Sequence, residues 1–200
     1  MLASSSVCYF PIMTTLENTA MGQPGQDSAE GFHHTRSDSV GVVRAAREYR
    51  LVATRLISAG ERLFRIEGEQ TTKPTRYSVQ IGENLHIDLG GGHSSEEILD
   101  RYFWRFMNHS CEPNALIHDR EVIARRDIEP WEAVTFNYNT TEWEMAEPFA
   151  CGCGSGNCLG TIQGLKYLTK EQRGLLGRVA PHLSHHVLGE PRMTTDMSPA

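Results

Sequence analysis

Three cysteines occur within eight residues of the sequence, in the stretch CGCGSGNC. Cys151, Cys153 and Cys158 follow the pattern C-x-C-x4-C, and the glycines between them allow the backbone to fold closely around an ion. Thiolates at such spacings are typical ligands of zinc, which prefers four sulfur or nitrogen ligands in a tetrahedron. We expect the fourth ligand to be Cys111, because Cys8, the fifth cysteine, stands alone in a stretch without apolar periodicity.

The predicted site holds one structural zinc ion, since four thiolates leave no position for the water that a catalytic zinc requires. Four buried cysteines without a metal are the alternative, which this spacing disfavours. An odd cysteine count also fits a disulfide framework poorly and indicates a reducing compartment. His182 and His186 lack the intervening glutamate of a metalloprotease, and we expect them on a solvated helix face.

A second reactive stretch, RFMNHSCEPNA, begins at Arg105. A helix stop followed by a turn explains most of it, because Asn108 and Asn114 tolerate unusual backbone angles and Pro113 cannot continue a helix. It does not explain the cysteine. A Cys-His nucleophile made of Cys111 and His109 is the weaker alternative, because a zinc-bound thiolate cannot attack a substrate.

Short β-strands must position these residues. From Val40 the chain reads VVRAA, YRLVATRLI and RLFRIEG, all rich in β-branched and apolar residues. Two hairpins follow: RYSVQI with LHIDL around Gly-Glu-Asn, and ALIH with EVIARR around Asp119–Arg120. AVTFNY reads as a further strand. Many short strands with few helices predict an α+β domain that is mainly β.

Two capping boxes mark the predicted helices. Ser94 with Glu97 begins a helix through SSEEILDRYFWRFM, whose apolar residues recur at helical spacing. Thr169 with Gln172 begins a C-terminal helix, which Pro181 interrupts or kinks.

The chain has 200 residues, enough for one domain, and its formal net charge is −6. Residues 1–39, rich in Ser, Thr, Gly and Gln, are expected to be a flexible leader. No apolar run approaches the ~20 residues of a membrane span, and the N-terminus lacks the charged and apolar regions of a secretory signal. The negative charge disfavours direct nucleic-acid binding and suits a basic peptide substrate. We expect a monomer that contacts neither nucleic acid nor membrane.

Taken together, RFMNHSCEPNA, the strand TFNYN about twenty residues later and CGCGSGNCLGTI resemble a SET-domain protein-lysine methyltransferase with a post-SET zinc segment. SAGERLFRIEGE resembles the early strands of that family, and the likeness covers residues 40–162. It implies a SET fold of small curved sheets with a C-terminal pseudoknot. The implied domains are a SET domain at 40–148, a post-SET zinc segment at 149–164, and a C-terminal helix and tail at 165–200.

The resemblance also implies roles for single residues. Two residues match the positions that hold S-adenosyl-L-methionine in the family. Asn108 would do so through its side-chain amide, and His109 largely through its backbone. Tyr138 matches the catalytic tyrosine, and the four cysteines from Cys111 onward match the zinc ligands. Leu159 would pack near the cofactor. Phe136 stands where a Phe/Tyr choice influences the number of methyl groups added, and Phe there implies room for more than one.

The sequence departs from the family pattern in three ways. Glu48-Tyr49-Arg50 replaces the Gly-x-Gly of the cofactor loop, which we expect to crowd the cofactor or to force a different loop path. Asn137 replaces an acidic residue before the catalytic tyrosine. The Cys-rich pre-SET segment is absent, since no cysteine lies between Cys8 and Cys111.

Two functions follow. The first is methyl transfer from S-adenosyl-L-methionine to the side-chain amine of a lysine in a protein or peptide. The alternative is a catalytically inactive SET fold that serves as a zinc-stabilised protein-binding module, which Glu48–Arg50 would favour. Without a secretory signal, the expected location is the bacterial cytoplasm, or the nucleus if the source is eukaryotic.

Overall fold

The structure, a computed structural model, describes residues 31–45 and 48–188. Cys8 and residues 1–30 of the expected leader lie outside the described residues, as does the tail from residue 189. Strand β1 (Gly31–His34) already pairs with β2 (Val40–Ala45), so the described fold begins before the predicted boundary at Val40. Among the described residues, no helix has the length and apolar character needed to cross a membrane.

The first sheet is an antiparallel meander of β1, β2 and β3 (Glu48–Ala53). It corresponds to the predicted strands VVRAA and YRLVA. Val40, Val42 and Leu51 are completely buried, because alternate side chains of each strand point into the core.

The second sheet has the strand order β4 (Arg62–Arg65), β10 (Glu121–Ala124) and β9 (Ala115–His118). Strands β9 and β10 form the predicted hairpin, and its two turn residues, Asp119 and Arg120, both have positive φ. That backbone suits a two-residue hairpin turn. The prediction of this hairpin is confirmed.

The third sheet has the order β5 (Glu69–Thr71), β7 (Leu85–Asp88) and β6 (Val79–Gly82). β6 and β7 are the other predicted hairpin, with Glu83 and Asn84 between them. Ile87 is completely buried, which fixes this sheet against the core.

Two short strand pairs join distant parts of the chain. β8 (Asn108–His109) and β11 (Thr135–Phe136) are parallel, and β12 (Phe149–Ala150) is antiparallel to β13 (Thr161–Ile162). The strand predicted for AVTFNY is therefore limited to Thr135 and Phe136, with a separate bridge between Ala133 and Val52. The parallel pair lays RFMNHSCEPNA against TFNYN.

The helix predicted for SSEEILDRYFWRFM is longer than the α-helix in the structure. α1 spans Ser95–Arg101, and a 3-10 helix, Phe103–Phe106, follows a break at Tyr102. An unbroken α-helix would bury one face, whereas the change to 3-10 geometry buries Phe103, Trp104 and Phe106 together. At the N-terminus, Ser94 Oγ accepts from Glu97 N at 3.1 Å, as predicted.

The C-terminal helix is divided into short pieces. A 3-10 helix, Leu165–Tyr167, precedes α2 (Lys170–Leu175), whose capping box of Thr169 and Gln172 is confirmed. Gly177, with a φ of 73°, ends this part, and a 3-10 helix at Pro181–Leu183 leads into α3 (Ser184–Leu188). Only glycine adopts such a φ without strain, so the chain turns before it reaches the proline.

These C-terminal elements have their own small core, made of four buried leucines: Leu165, Leu168, Leu176 and Leu183. Trp143, Leu159, Val179 and Val187 pack around it. The expectation of a solvated face for the histidines is wrong here. His182 Nε2 lies 2.9 Å from the carbonyl oxygen of Thr141, and the ring of His186 stacks on Trp143 with centroids 3.9 Å apart.

Candidate active site and cysteine cluster

A narrow cavity of about 50 Å³ lies beside the turn that follows β11. Its wall includes five aromatic side chains brought from well-separated parts of the chain: Tyr77, Trp104, Phe136, Tyr138 and Phe149. Aromatic rings disfavour a charge that packs against them, so this part of the wall lowers the pKa of an amine that enters. The cavity has the shape and chemistry to take an alkyl chain that ends in an amine.

Tyr138 lies in a 3-10 helix, Tyr138–Thr140, directly after β11. Its hydroxyl donates a hydrogen bond to the carbonyl oxygen of Met107 at 2.9 Å. A hydroxyl oxygen that donates its proton in this way can also accept weak C–H···O contacts. The rings of Tyr138 and Phe136 lie 4.7 Å apart, so both sequence-predicted residues contact each other in this wall.

Asn137, which replaces the acidic residue of the family pattern, begins this turn. Its side-chain oxygen accepts from the backbone N–H of Asn139 at 3.1 Å. A short amide that caps a turn is a local arrangement in which Asn is favoured. An aspartate would accept the same bond, so this contact does not explain the replacement, but Asn137 caps the turn that carries Tyr138.

His109 connects the turn to the cysteines. Its Nδ1 accepts from the backbone N–H of Tyr138 at 3.2 Å, so the ring proton resides on Nε2, which lies 3.3 Å from the Sγ of Cys111. Burial lowers the pKa of His109 to about 3, so the ring is neutral. A neutral Nε2–H is a donor toward a thiolate.

Asn108 is also buried, and its Oδ1 has no hydrogen-bond partner among the described residues. An unsatisfied buried carbonyl is costly and indicates that a donor belongs there. The amine of S-adenosyl-L-methionine has such donors, so this residue fits the cofactor that the sequence predicts. Met107 and Arg105, from the same stretch, line the cavity.

Glu48, Tyr49 and Arg50 occupy β3, at its N-terminal end. Glu48 and Arg50 form an ion pair at 3.1 Å, and the ring of Tyr49 lies 5.1 Å from that of Phe106. Glu48 and Arg50 stand where the family pattern has its two glycines. The ion pair between them fixes the positions of their side chains. Glu48 Oε1 and Arg50 Nε still lack partners within the described residues, so polar groups remain for a ligand at this end of the strand.

The four cysteines predicted as zinc ligands come together. Their sulfur atoms all lie within 4.8 Å of one another, and the Sγ atoms of Cys111 and Cys151 are 3.9 Å apart. A tetrahedral site with Zn–S bonds of about 2.3 Å places sulfurs about 3.8 Å apart, so the cluster fits zinc. Strands β12 and β13 bracket the loop that carries three of these cysteines.

The electrostatics of this cluster also call for a cation. Burial raises the pKa of the Cys111 thiol, and the neighbouring sulfurs of Cys151 and Cys153 raise it further. Four thiolates cannot be packed so closely without a positive charge to offset their repulsion. Of the three glycines in the loop, Gly154 has a positive φ of 71°, where a side chain would be strained.

Leu159 follows the last cysteine, and its N–H points to the Sγ of Cys111 at 3.5 Å. Its side chain packs on the leucine core of the C-terminal elements. It lines a groove with Cys111 and Leu176 that is separate from the cavity of Tyr138. The cysteine cluster therefore fastens the C-terminal elements to the rest of the domain.

Two polar residues of the cavity wall escaped the sequence analysis. Arg105 lies within the motif itself, where it pairs with Asp88 and has its guanidinium 4.5 Å from the ring centroid of Tyr77. Glu142 lies four residues after Tyr138, one helical turn on, and no family pattern drew attention to it.

Comparison with known proteins shows which family the chain belongs to. The SET domain family matches residues 48–139. The methyltransferase flvH of Aspergillus flavus is 32% identical over 176 residues, which cover 80% of this chain and 90% of flvH. A histone-lysine N-methyltransferase, H3 lysine-36 specific, of Yarrowia lipolytica is 31% identical over 149 residues, but these cover 66% of this chain and 19% of that protein. The solved structure of KRYPTONITE in complex with mCHG DNA and SAH aligns with a TM-score of 0.46 and 24% identity over 60% of this chain and 28% of that chain.

The chain belongs to the SET-domain family, a family of S-adenosylmethionine-dependent protein-lysine methyltransferases, and it is an enzyme of that class. The comparisons favour this function over the inactive binding module. The chain spans nearly all of flvH but a fifth or less of the histone-lysine methyltransferases that it resembles, such as the Yarrowia protein and the TRX1 protein of rice.

Proposed function

We propose that this enzyme methylates the ε-amine of a lysine in a basic protein segment, with Tyr138 as the catalytic residue. The observation that carries this proposal is the aromatic cavity in which the Tyr138 hydroxyl and the Phe136 ring lie side by side. A lysine side chain is an apolar stem with an amine at its end, so it matches a narrow, dry and aromatic passage.

When bound, S-adenosyl-L-methionine supplies a methyl group on a positively charged sulfur. The cavity would hold the acceptor nitrogen toward that methyl group, and positioning of this kind removes roughly 7–11 kcal/mol of barrier in favourable cases. The Tyr138 oxygen would accept C–H···O contacts there and help to exclude water. The fixed bond to Met107 keeps that oxygen in place.

The cofactor would be held by the stretch around β8. Asn108 offers its unsatisfied Oδ1 to the donor groups of the cofactor, and the backbone of His109 contributes alongside. Leu159 would pack near the cofactor through the groove beside the cysteine cluster. Glu48, Tyr49 and Arg50 take the place of the glycine loop and would contact the cofactor with side chains.

We further propose that the four-cysteine cluster holds one structural zinc ion and forms a post-SET segment at 149–164, after a SET domain at 40–148. The support is the sulfur geometry, which fits a closed tetrahedral site without an open position. The ion would fasten the described C-terminal elements, at 165–188, against the domain. Zinc therefore acts on structure, and no part of the methyl transfer passes through it.

The nature of the substrate follows from charge and from the relatives. The formal net charge of −6 favours a basic partner, and several relatives are named as histone-lysine methyltransferases. A lysine-rich, histone-like tail is the substrate class that we propose, with the nucleus as the location in a eukaryotic source. Direct binding of nucleic acid and an oligomeric state are not part of this proposal.

The proposal is tested by incubating purified protein with methyl-labelled S-adenosyl-L-methionine and recombinant core histones. Label should appear on lysine, as shown by mass spectrometry of the digested product. A parallel reaction in a whole extract identifies other labelled proteins. Label on a residue other than lysine, or no label although calorimetry shows cofactor binding, would overturn the proposed substrate class.

A further inference from the structure

Glu142 lies in the wall of the cavity that contains Tyr138 and Phe136, yet the functions assigned above do not use it. Only 7% of the surface of Glu142 is exposed. The backbone N–H of Glu142 donates to the carbonyl oxygen of Tyr138 at 2.9 Å, so the two residues belong to one turn. Burying a carboxylate costs free energy unless hydrogen bonds or an opposite charge compensate for the lost water.

The two carboxylate oxygens have different surroundings. Oε1 accepts from the backbone N–H of Gln80 at 2.8 Å and from the hydroxyl of Thr141 at 3.2 Å. Oε2 accepts no hydrogen bond from the described residues, and Nε2 of His86 lies 3.9 Å from it, which is too long for a hydrogen bond. Oε2 thus keeps its acceptor capacity, and Glu142 is one of the residues that line the cavity.

The basic side chains nearby do not neutralise this carboxylate. Burial lowers the pKa of His86, and the adjacent His182 lowers it further, against a smaller effect of Asp88, so His86 is neutral at physiological pH. His182 itself has a pKa lowered by burial, and its Nε2 is bonded to Thr141 O. Glu83 and His185 also act on His182, Glu83 raising its pKa and His185 lowering it.

The two arginines of the cavity wall are paired elsewhere. Arg105 forms an ion pair with Asp88, and Arg76 lies 3.5 Å from a carboxylate oxygen of Glu147 at a more exposed position. The remaining titratable groups of the wall are Tyr77 and Tyr138, and neither side chain is basic. A cation that enters the cavity therefore meets an uncompensated carboxylate at Glu142.

We propose that Glu142 receives the ammonium group of the substrate lysine and removes its proton before methyl transfer. This inference rests on the proposed function, because it needs a lysine in this cavity. The N–H bond of the ammonium breaks, its electron pair stays on nitrogen as the nucleophilic lone pair, and the proton passes to Oε2, giving a neutral carboxylic acid. The acid then returns the proton to solvent, and the carboxylate is ready for the next turnover.

The energetics suit this exchange. Burial raises the pKa of Glu142 to about 7, although the bonds from Gln80 and Thr141 oppose the change. A lysine ammonium has a reference pKa of ~10.4, which an aromatic cavity and a nearby sulfonium charge both lower. The two pKa values move toward each other, so proton transfer costs less than it would in water. After transfer both groups are neutral, which a dry cavity favours.

The pH dependence of kcat/KM tests the proposal. For the wild type, kcat/KM with a lysine peptide should rise through an inflection near pH 7, because the carboxylate is the form that accepts the proton. In Glu142→Gln, whose amide oxygen can still accept from Gln80 N–H, kcat/KM should fall at least about tenfold near neutrality. Its inflection near pH 7 should vanish, and activity should recover at alkaline pH, where the substrate loses its proton unaided.

Glu147→Gln is the matched control, since Glu147 lines the same cavity but is half-exposed and faces Arg76. It should keep the wild-type profile. A Glu142→Gln profile that is scaled down equally at every pH would show that Glu142 is a structural clamp and would overturn the inference. Inactivity of the wild type at every pH would instead overturn the proposed function.

A second measurement needs no variant. A peptide whose lysine carries fluorine near the amine has an ammonium of lower pKa, so the wild type should methylate it without an inflection near pH 7. If the wild-type profiles for the lysine and fluorinated peptides coincide in shape, Glu142 does not act on the substrate proton. This measurement decides the matter even if Glu142→Gln does not fold.

Discussion

The imidazole of His109 accepts the backbone N–H of Tyr138 at 3.2 Å and directs its other nitrogen to the cysteine cluster. One buried side chain thus links the predicted zinc site to the turn that carries the predicted catalytic tyrosine. A neutral N–H that donates to a metal-bound thiolate helps to orient that ligand. The imidazole that carries this N–H is itself held in place by its second hydrogen bond, to the backbone of Tyr138. The position of Tyr138 is consequently coupled to an intact cluster.

Replacing Tyr138 with Phe should lower turnover about a hundredfold or more, because the oxygen beside the methyl group is lost while the ring remains. The affinity for S-adenosyl-L-methionine should change by no more than about twofold, since the hydroxyl donates its bond to Met107 of the protein itself and the ring that lines the cavity remains. Initial rates and calorimetry measure the two quantities. Tyr167→Phe, which removes a hydroxyl bonded to Glu144 outside the cavity, is the control. Equal losses of turnover and cofactor affinity in Tyr138→Phe would show that Tyr138 is structural.

Replacing Cys153 with Ser should release the metal and loosen the loop between β12 and β13, because one of four thiolates is lost. Elemental analysis should give well below one zinc per chain, whereas far-UV circular dichroism should show that the β-sheets remain. Turnover should also fall, since His109 transmits the loss to Tyr138. Cys8→Ser, outside the cluster, should retain the metal. Complete unfolding of Cys153→Ser would mean that the ion supports the whole domain.

The wild type should add more than one methyl group to each lysine, because Phe136 leaves the space that a tyrosine hydroxyl would occupy in the cavity. Phe136 is buried in the cavity wall with its ring 4.7 Å from that of Tyr138, so a hydroxyl added to it would take up part of this space. Phe136→Tyr should therefore shift the product toward a single methyl group. Mass spectrometry of the product peptide measures the distribution. A wild-type product limited to one methyl group would contradict the role given to Phe136.

The stability of the domain should depend on pH through Glu142. Burial raises its pKa from the ordinary 4.5 to about 7 in the folded protein. Its favourable contribution is therefore complete below about pH 4.5 and is lost as the pH rises through about 7, at a cost of roughly 3 kcal/mol. Glu142→Gln should be more stable than the wild type at about pH 8 by up to that amount, and nearly equal at about pH 5.

Urea unfolding at both pH values measures this difference, and the comparison with the variant cancels the titration of His86 and His182. Glu147→Gln, whose carboxylate is half-exposed, should show little pH-dependent difference from the wild type. A stability difference between wild type and Glu142→Gln that is the same at both pH values would contradict the buried carboxylate as its source.

Local pattern predicted much of the fold. The two hairpins, the cap at Ser94 and the capping box at Thr169 are confirmed, because each depends on residues within a few positions of one another. The helix through SSEEILDRYFWRFM was predicted too long, since periodicity does not show that several neighbouring aromatics are buried at once. The histidines of the C-terminal helix were wrongly placed in solvent because their partners, Thr141 and Trp143, lie some forty residues away.

Within the eleven residues of RFMNHSCEPNA, some features are likewise predictable from the local sequence and others depend on distant contacts. Its sequence indicated a turn and a metal ligand, but the role of Asn114 emerges only from the fold. The side chain of Asn114 bonds to the backbone at Ala133 and Thr135, which fastens the motif to the strand before Phe136. A single sequence does not show which distant backbone group a buried amide will meet.

The sequence by itself determined the class of protein, which four cysteines form the cluster and which tyrosine lines the cavity. These features depend on residue chemistry and on spacing along the chain. The tertiary structure decided which buried groups face one another: His109 between Cys111 and Tyr138, and Glu142 in the wall of the cavity. The reason is physical. Burial and distance set the pKa and the partners of a polar group, and both arise only when remote segments pack together.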